Sequence, residues 1–285
     1  MLVVHAPAKV NLFLDVLGKR PDGYHELSTL FERVSLCDRL SFSPSAKIVL
    51  STDSRHIPTG PKNLVVRAAR LLKSRYGVKA GVRIRLNKRI PVAAGLGGGS
   101  SDCAAALLGL NRFWRLGLSQ KTLLEHAAEL GSDVPFFILE SPFAYARGRG
   151  ERLEPIRARG VRFRHVIVKP RFKISTQEAF GALKGLRLTV PRGNVKMRIH
   201  SILKGSRGHL AGLLTNSLEA ALNKRLTEIQ KIKTALTGQG AAASLLSGSG
   251  SAVFGIFVSD RAAEKAARLF RKKHRSWQVF TATTY

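Results

Sequence analysis

The chain has 285 residues, and 48 Lys and Arg set against 18 Asp and Glu leave a formal charge of +30. Hydrophobic residues make up 44%, which excludes a disordered chain, and the length suits one large or two ordinary domains. Two cysteines, Cys37 and Cys103, exclude a disulfide framework, and Lys9, Asn11 and Asp15 interrupt the apolar start, so neither a signal peptide nor a membrane span is read and a cytoplasmic location is expected.

In chain order, Lys9 to Leu17 reads as a strand, Arg20-Pro21-Asp22-Gly23 as a turn, and Glu26 to Leu36 and Leu40 to Phe42 as further strands. Asn63 to Tyr76 is a predicted helix with Leu64, Ala68, Leu71 and Leu72 on one face and Gly77 as its stop. Val82 to Lys88 alternates apolar and polar, the pattern of an antiparallel strand with one wet face. A Gly-rich loop and a helix to about Leu116 follow, and Ser119 caps a second helix ending near Gly131. Beyond a boundary placed between residues 156 and 157, His165 to Lys169 is a strand and Thr176 to Leu183 a short helix. Asn216 to Leu222 and Leu226 to Leu236 are helices, and Ala243 to Leu246 and Ala252 to Val258 form a hairpin around Ser247-Gly248-Ser249-Gly250-Ser251. Arg261 to Lys273 is helical, and Trp277 to Thr283 is a closing strand. The class is α+β in two domains, 1–156 and 157–285, with a ligand site expected in the cleft between them.

The most specific stretch is Pro91-Val92-Ala93-Ala94-Gly95-Leu96-Gly97-Gly98-Gly99-Ser100-Ser101-Asp102. Glycines let backbone approach a ligand, and a helix start presents unpaired N–H groups to an anion, so the loop points to phosphate. No Lys follows Gly99, which excludes the Walker P-loop. Ser100 stands where the dinucleotide fingerprint needs its third Gly. A plain flexible connection is the competing reading.

Four other places carry candidate chemistry. Lys9 lies in an apolar run, either offsetting phosphoryl charge or facing solvent on an edge strand. Asp133, in Gly131-Ser132-Asp133-Val134-Pro135-Phe136-Phe137, either accepts a hydroxyl proton or caps a helix. Tyr24 and His25 either hold a planar base or decorate a hairpin tip. The Ser247 to Ser251 loop packs beneath the first loop, lines the cleft, or is a flexible hairpin turn. The basic excess is dispersed, dense only from Arg147 to Arg171 and at Arg271-Lys272-Lys273, with no aromatic-interleaved stripe, so a solvated surface is favoured over nucleic-acid binding.

Taken together these motifs resemble the GHMP kinase superfamily over nearly the whole chain. The carrying segments are Pro7-Ala8-Lys9-Val10-Asn11-Leu12, Gly18-Lys19-Arg20-Pro21-Asp22-Gly23-Tyr24-His25-Glu26-Leu27, Pro91 to Ser101, Gly131 to Phe137, and Ser247 to Phe254. The segments around Tyr24-His25 and Asp133 are similar to the branch whose acceptor is a methylerythritol carried on cytidine diphosphate. That resemblance implies transfer of the ATP γ-phosphoryl group to a tertiary 2-hydroxyl, with Mg²⁺, in isoprenoid precursor synthesis. It also implies Asp133 as base, Lys9 as its cationic partner and Asn11 near the accepting hydroxyl. Tyr24, His25 and Phe180 would hold cytosine, Asn63 would border adenine, and Pro91 to Ser101 would bind ATP. Metal-binding side chains are not implied. The expected partner is the small-molecule substrate, with no nucleic acid or membrane, in a monomer or homodimer. The alternatives are a GHMP kinase for mevalonate, a sugar or homoserine, and a basic nucleic-acid-binding protein. Ser132 stands where Ala is usual in this branch and Ser217 where Asp is commoner, and the charge of +30 is atypical of it.

Overall fold

The computed structural model describes residues 1–183, 193–205, 210–222 and 225–285. They divide into two compact units, each discontinuous in sequence: Met1–Ala8, Cys37–Val92 and Gly97–Glu140 form the first, and Lys9–Leu36, Ala93–Leu96 and Ser141–Tyr285 the second. This division differs from the single boundary at 156. The cause is two long strands, β1 (Leu2–Lys19) and β2 (His25–Ser45), of 18 and 21 residues, each belonging partly to both units.

In the first unit the C-terminal half of β2 pairs antiparallel with β4 (Gly81–Asn87), placing Leu40 opposite Leu86 and Phe42 opposite Ile84. β3 (Ile48–Thr52) pairs with the other edge of β4 in parallel, so the alternating strand lies in a locally mixed sheet. Its alternation is real: Val82, Ile84 and Leu86 are buried while Arg83 and Arg85 are exposed. Four helices complete this unit: α1 (Leu64–Arg75), α2 (Gly98–Phe113), α3 (Gln120–Leu130) and α4 (Val134–Ile138). Ser119 caps α3 by accepting from Thr122 N–H, as its sequence predicts. Helix α2 lies close on the sheet at Gly109, where a Cβ would overlap the Phe42 ring.

In the second unit the N-terminal half of β2 pairs with β5 (Phe143–Gly148), and β5 with β6 (Arg152–Ile156). A second, wholly antiparallel sheet runs in the order β10 (Gln278–Thr283), β7 (Arg164–Lys169), β9 (Val253–Phe257), β8 (Ala243–Leu246). Helices α8 (Leu226–Gly238) and α9 (Asp260–Lys273) pack on it. α9 turns Ala263, Ala266, Ala267 and Phe270 to the core, while its last turn carries Arg271, Lys272 and Lys273, the favourable sign for a helix C-terminus. Shorter helices are α5 (Thr176–Gly181), α6 (Val195–Lys204) and α7 (Leu210–Leu213), and Ser217–Ala221 forms a 3-10 turn where an ordinary helix is predicted. Cys103 is buried within α2, and that burial pushes its thiol up to about 12. Among the described residues no helix is long and apolar enough to cross a membrane.

Candidate active site

The Gly-rich loop is fixed by its carbonyl groups. The Ala94 carbonyl accepts from Ala252 N–H at 3.0 Å, the Gly95 carbonyl from the Ser247 hydroxyl at 2.9 Å, and the Leu96 carbonyl from Lys9 N–H at 3.0 Å. Three successive acceptors are thus taken up inside the protein. The donors that follow, the N–H groups of Gly98, Gly99 and Ser100 opening α2, have no partner within the helix, and Ser101 N–H is the first to close a helical bond, to the Gly97 carbonyl at 2.9 Å. Gly95 and Gly97 sit at φ values of +74° and +68°, the left-handed region that favours glycine. At Gly95 the contact is tight as well, because a Cβ there would overlap the Ser247 carbonyl. The Ser247–Ser251 loop therefore packs against the first loop and is held in turn by Asn216, whose amide donates to the Leu246 and Gly248 carbonyls at 2.9 and 2.8 Å.

Lys9 is buried, which removes the solvent-facing alternative. Its ammonium donates to Asn11 Oδ1 at 2.7 Å and lies 4.6 Å from the centre of the Phe31 ring. Asn11 donates to Thr29 Oγ1 at 2.8 Å, and Thr29 donates to the Phe13 carbonyl at 2.5 Å. Residues two apart on a strand share a face, so β1 presents Lys9 and Asn11 together. The chain of donors points each group one way and holds the lysine in place.

The hairpin tip between β1 and β2 is built from its own polar groups. Arg20 donates to Glu26 at 2.6 Å and to Asp22 at 3.2 Å, Asp22 accepts Tyr24 N–H at 3.1 Å, and Glu26 also accepts Gly148 N–H at 3.1 Å. Tyr24 is left 56% exposed, with the Arg149 guanidinium 4.8 Å from its ring centre. His25 stacks on Phe180 of α5, ring centres 5.1 Å apart and planes 29° from parallel. Helix α5 is anchored for this by a capping box of Ser175 and Glu178. Burial, then the nearby Lys19 charge, holds the His25 imidazole below its ordinary value.

In the first unit Asp133 is half-buried at the N-cap position of α4, yet its side chain makes no cap hydrogen bond to that helix. Asn63 does cap: its Oδ1 accepts Val65 N–H at 2.8 Å and its Nδ2 donates to the Pro58 carbonyl at 2.7 Å. One amide N–H remains available. Pro91 and Val92 lead into the loop here, and Gly98 to Ser101 open α2. Ser101 Oγ is buried with no hydrogen-bond partner among the described residues. No group of three His, Cys, Asp or Glu suited to a metal occurs among them.

The sequence reading did not anticipate a buried charge cluster in this unit. Lys88 donates to Asp38 and, at 2.7 Å, to Asp102, and Asp38 also accepts the N–H groups of Arg89 and Ile90 at 2.5 and 2.8 Å. Burial pushes the Asp102 carboxyl up to about 7 against the pull of Lys88, with Asp38 adding to the rise. Burial would depress Lys88, but the two carboxylates outweigh it and hold the ammonium above its ordinary value. Thr29, Asn216 and Glu26 are further polar contributors whose roles become visible only in three dimensions.

The GHMP kinases N terminal domain family matches residues 63–141, and the GHMP kinases C terminal family matches residues 199–275. A 4-diphosphocytidyl-2-C-methyl-D-erythritol kinase of Pelotomaculum thermopropionicum is 46% identical over 272 residues, spanning 94% of this chain and 93% of the relative. A crystal structure of a 4-(cytidine 5'-diphospho)-2C-methyl-D-erythritol kinase superposes with a TM-score of 0.84 at 36% identity, covering 99% of this chain and 98% of that one. A homoserine kinase of Cytophaga hutchinsonii, with a TM-score of 0.73 at 18% identity over 100% of this chain and 94% of its own, shares the fold alone. With sequence and backbone agreeing over nearly their full lengths, this chain belongs to the 4-diphosphocytidyl-2-C-methyl-D-erythritol kinase family within the GHMP kinases.

Proposed function

We propose that this chain is an ATP-dependent kinase that transfers the γ-phosphoryl group to the 2-hydroxyl of 4-diphosphocytidyl-2-C-methyl-D-erythritol, yielding the 2-phosphate and ADP in non-mevalonate isoprenoid synthesis. The observation that carries this is the double engagement of Lys9. Its backbone N–H fixes Leu96 of the phosphate loop, while its buried ammonium is delivered to Asn11. One residue so couples the element that would hold ATP to the group that would meet the acceptor.

Phosphoryl transfer passes through a loose transition state, so positioning and charge neutralisation do most of the work. The opening N–H groups of α2 would receive phosphate oxygens, with the inward carbonyls of Ala94, Gly95 and Leu96 keeping competing negative dipoles away. Asp133, not occupied in capping α4, would take the proton as the hydroxyl attacks phosphorus and the bond to ADP breaks. Lys9 would offset the charge developing on the phosphoryl oxygens, with Asn11 orienting the hydroxyl. Mg²⁺ bound with the nucleotide would supply further neutralisation, and the Ser101 hydroxyl, without a hydrogen-bond partner among the described residues, would be a protein oxygen able to hold it. Tyr24 offers an exposed stacking face for cytosine, and His25, backed by Phe180, a neutral ring for the base edge. Asn63 retains one amide N–H for adenine.

The matched families fall one in each of the segments 1–156 and 157–285, which supports those segments as the inherited domains. A chain with only two cysteines suits the cytoplasm, and we place the enzyme there as a monomer or homodimer acting on this small molecule without nucleic acid. The test is ADP release with ATP, Mg²⁺ and the cytidine-diphosphate acceptor. Turnover is expected with that acceptor and not with mevalonate or homoserine, and ADP at the acceptor-free background overturns the proposal.

A further inference from the structure

The Asp38–Lys88–Asp102 cluster lies outside every role assigned above. Its three side chains are 0, 7 and 4% exposed, respectively. They come from three places: Asp38 from β2, Lys88 from the segment just after β4 and immediately before the Gly-rich loop, and Asp102 from the second turn of α2 just after it. Asp38 also holds the N–H groups of Arg89 and Ile90, so the last residues entering the loop and the first helical turns leaving it are tied to one point. The Lys88 ammonium reaches beneath the opening of α2, 3.4 Å from where a Cβ on Gly98 would stand.

As a stabilising device this cluster is a poor choice. Two carboxylates share one ammonium, Asp102 Oδ1 has no hydrogen-bond partner among the described residues, and apolar side chains of similar volume would hold a core as well or better. What a buried, directional network supplies instead is a single geometry.

We propose that Asp38, Lys88 and Asp102 are positioning residues of the phosphate loop: they clasp its two stems and fix the direction of the α2 N–H groups, and so set nucleotide affinity without touching the acceptor. This rests on the reading of the loop as the ATP site. Lys88 and Asp38 are the charged groups that face Asp102 across the clasp, and removing Asp102 leaves those two as a compensated pair.

Asp102→Leu opens the clasp, whereas Asp102→Asn keeps an acceptor for Lys88. For Asp102→Leu we expect the ADP Kd and the ATP KM to rise about tenfold, with the acceptor KM within about twofold, since small displacements of positioned groups carry large penalties. Asp102→Asn should restore nucleotide affinity to within about threefold of the parent, because the acceptor for the ammonium is retained. ADP affinity is read by titration calorimetry, which needs no acceptor. Should Asp102→Leu fail to fold, Lys88→Met is read in the same way. A parent-like ADP Kd in the clasp-opening variant, or an equal rise in nucleotide and acceptor constants, overturns the proposal. A parent protein that binds ADP but does not phosphorylate the acceptor instead overturns the substrate reading and leaves the clasp comparison standing.

Discussion

The Gly-rich loop and the hairpin tip at Arg20–Glu26 solve recognition in opposite ways. The loop works with backbone: its carbonyls are hydrogen-bonded inward and two of its glycines adopt left-handed φ. The tip works with side chains: a turn stiffened by Arg20, Asp22 and Glu26 displays Tyr24 and His25 as chemically distinct rings. In the proposed function the first arrangement would bind what any nucleotide shares, the second what one acceptor has alone. They should therefore fail differently, the loop to added volume and the tip to lost chemistry.

The largest effect belongs to neither region. Asp133→Asn should lower kcat by about 10²- to 10⁴-fold, the range for a positioned base, with the ADP Kd unchanged by calorimetry. Near-parent turnover would return Asp133 to a structural role at the start of α4. Next comes the loop. Gly95→Ala adds a methyl group that meets the Ser247 carbonyl at a φ of +74°, and we expect about 2–4 kcal/mol of lost stability in a denaturant melt, with weakened ADP binding. A parent-like melt would mean that the two loops separate more easily than their contact implies. Smaller again is the tip. Tyr24→Ala should raise the acceptor KM about tenfold, the scale of one lost base-stacking face, and leave the ATP KM unchanged. Equal changes in both constants would erase the contrast between the regions.

The sequence made the local features legible. The Ser119 cap, the start of α1 next to Asn63 and the β8–β9 hairpin each depend on neighbours within a few residues, and each lies where it is predicted. Strand β6 was missed because Arg152, Glu154 and Pro155 leave its pattern largely exposed, without the alternation of a packed strand. The sequence divides β2 into two strands, Glu26 to Leu36 and Leu40 to Phe42, whereas Asp38 in the gap is fully buried by partners 50 to 52 positions away. The same distance hid the clasp. Its residues become a cluster only when two sequence-remote segments meet, and nothing in the spacing of Asp38, Lys88 and Asp102 signals that. The packing of the Ser247 loop against Gly95 was left open by sequence for the same reason.

The smallest expected effect sharpens the tip alone. Burial, then Lys19, lowers the His25 pKa from 6.5, so the ring is neutral at pH 7 and stays so somewhat below the usual imidazole range. A neutral imidazole offers one donor and one acceptor to a base edge, whereas the protonated ring offers two donors and brings a charge against Phe180. For a histidine with a depressed folded value, the unfolded chain binds the extra proton first. Its stabilising contribution is therefore present above about pH 6.5 and is lost as pH falls through the folded value. Acceptor binding should follow the same sign, with KM flat from about pH 8 to 6.5 and rising about twofold to fivefold on further acidification. His25→Gln should abolish that inflection while leaving the pH profile of the ATP KM as in the parent. An inflection above pH 6.5, or one that survives the substitution, would assign the titration to another group and remove His25 from the base edge.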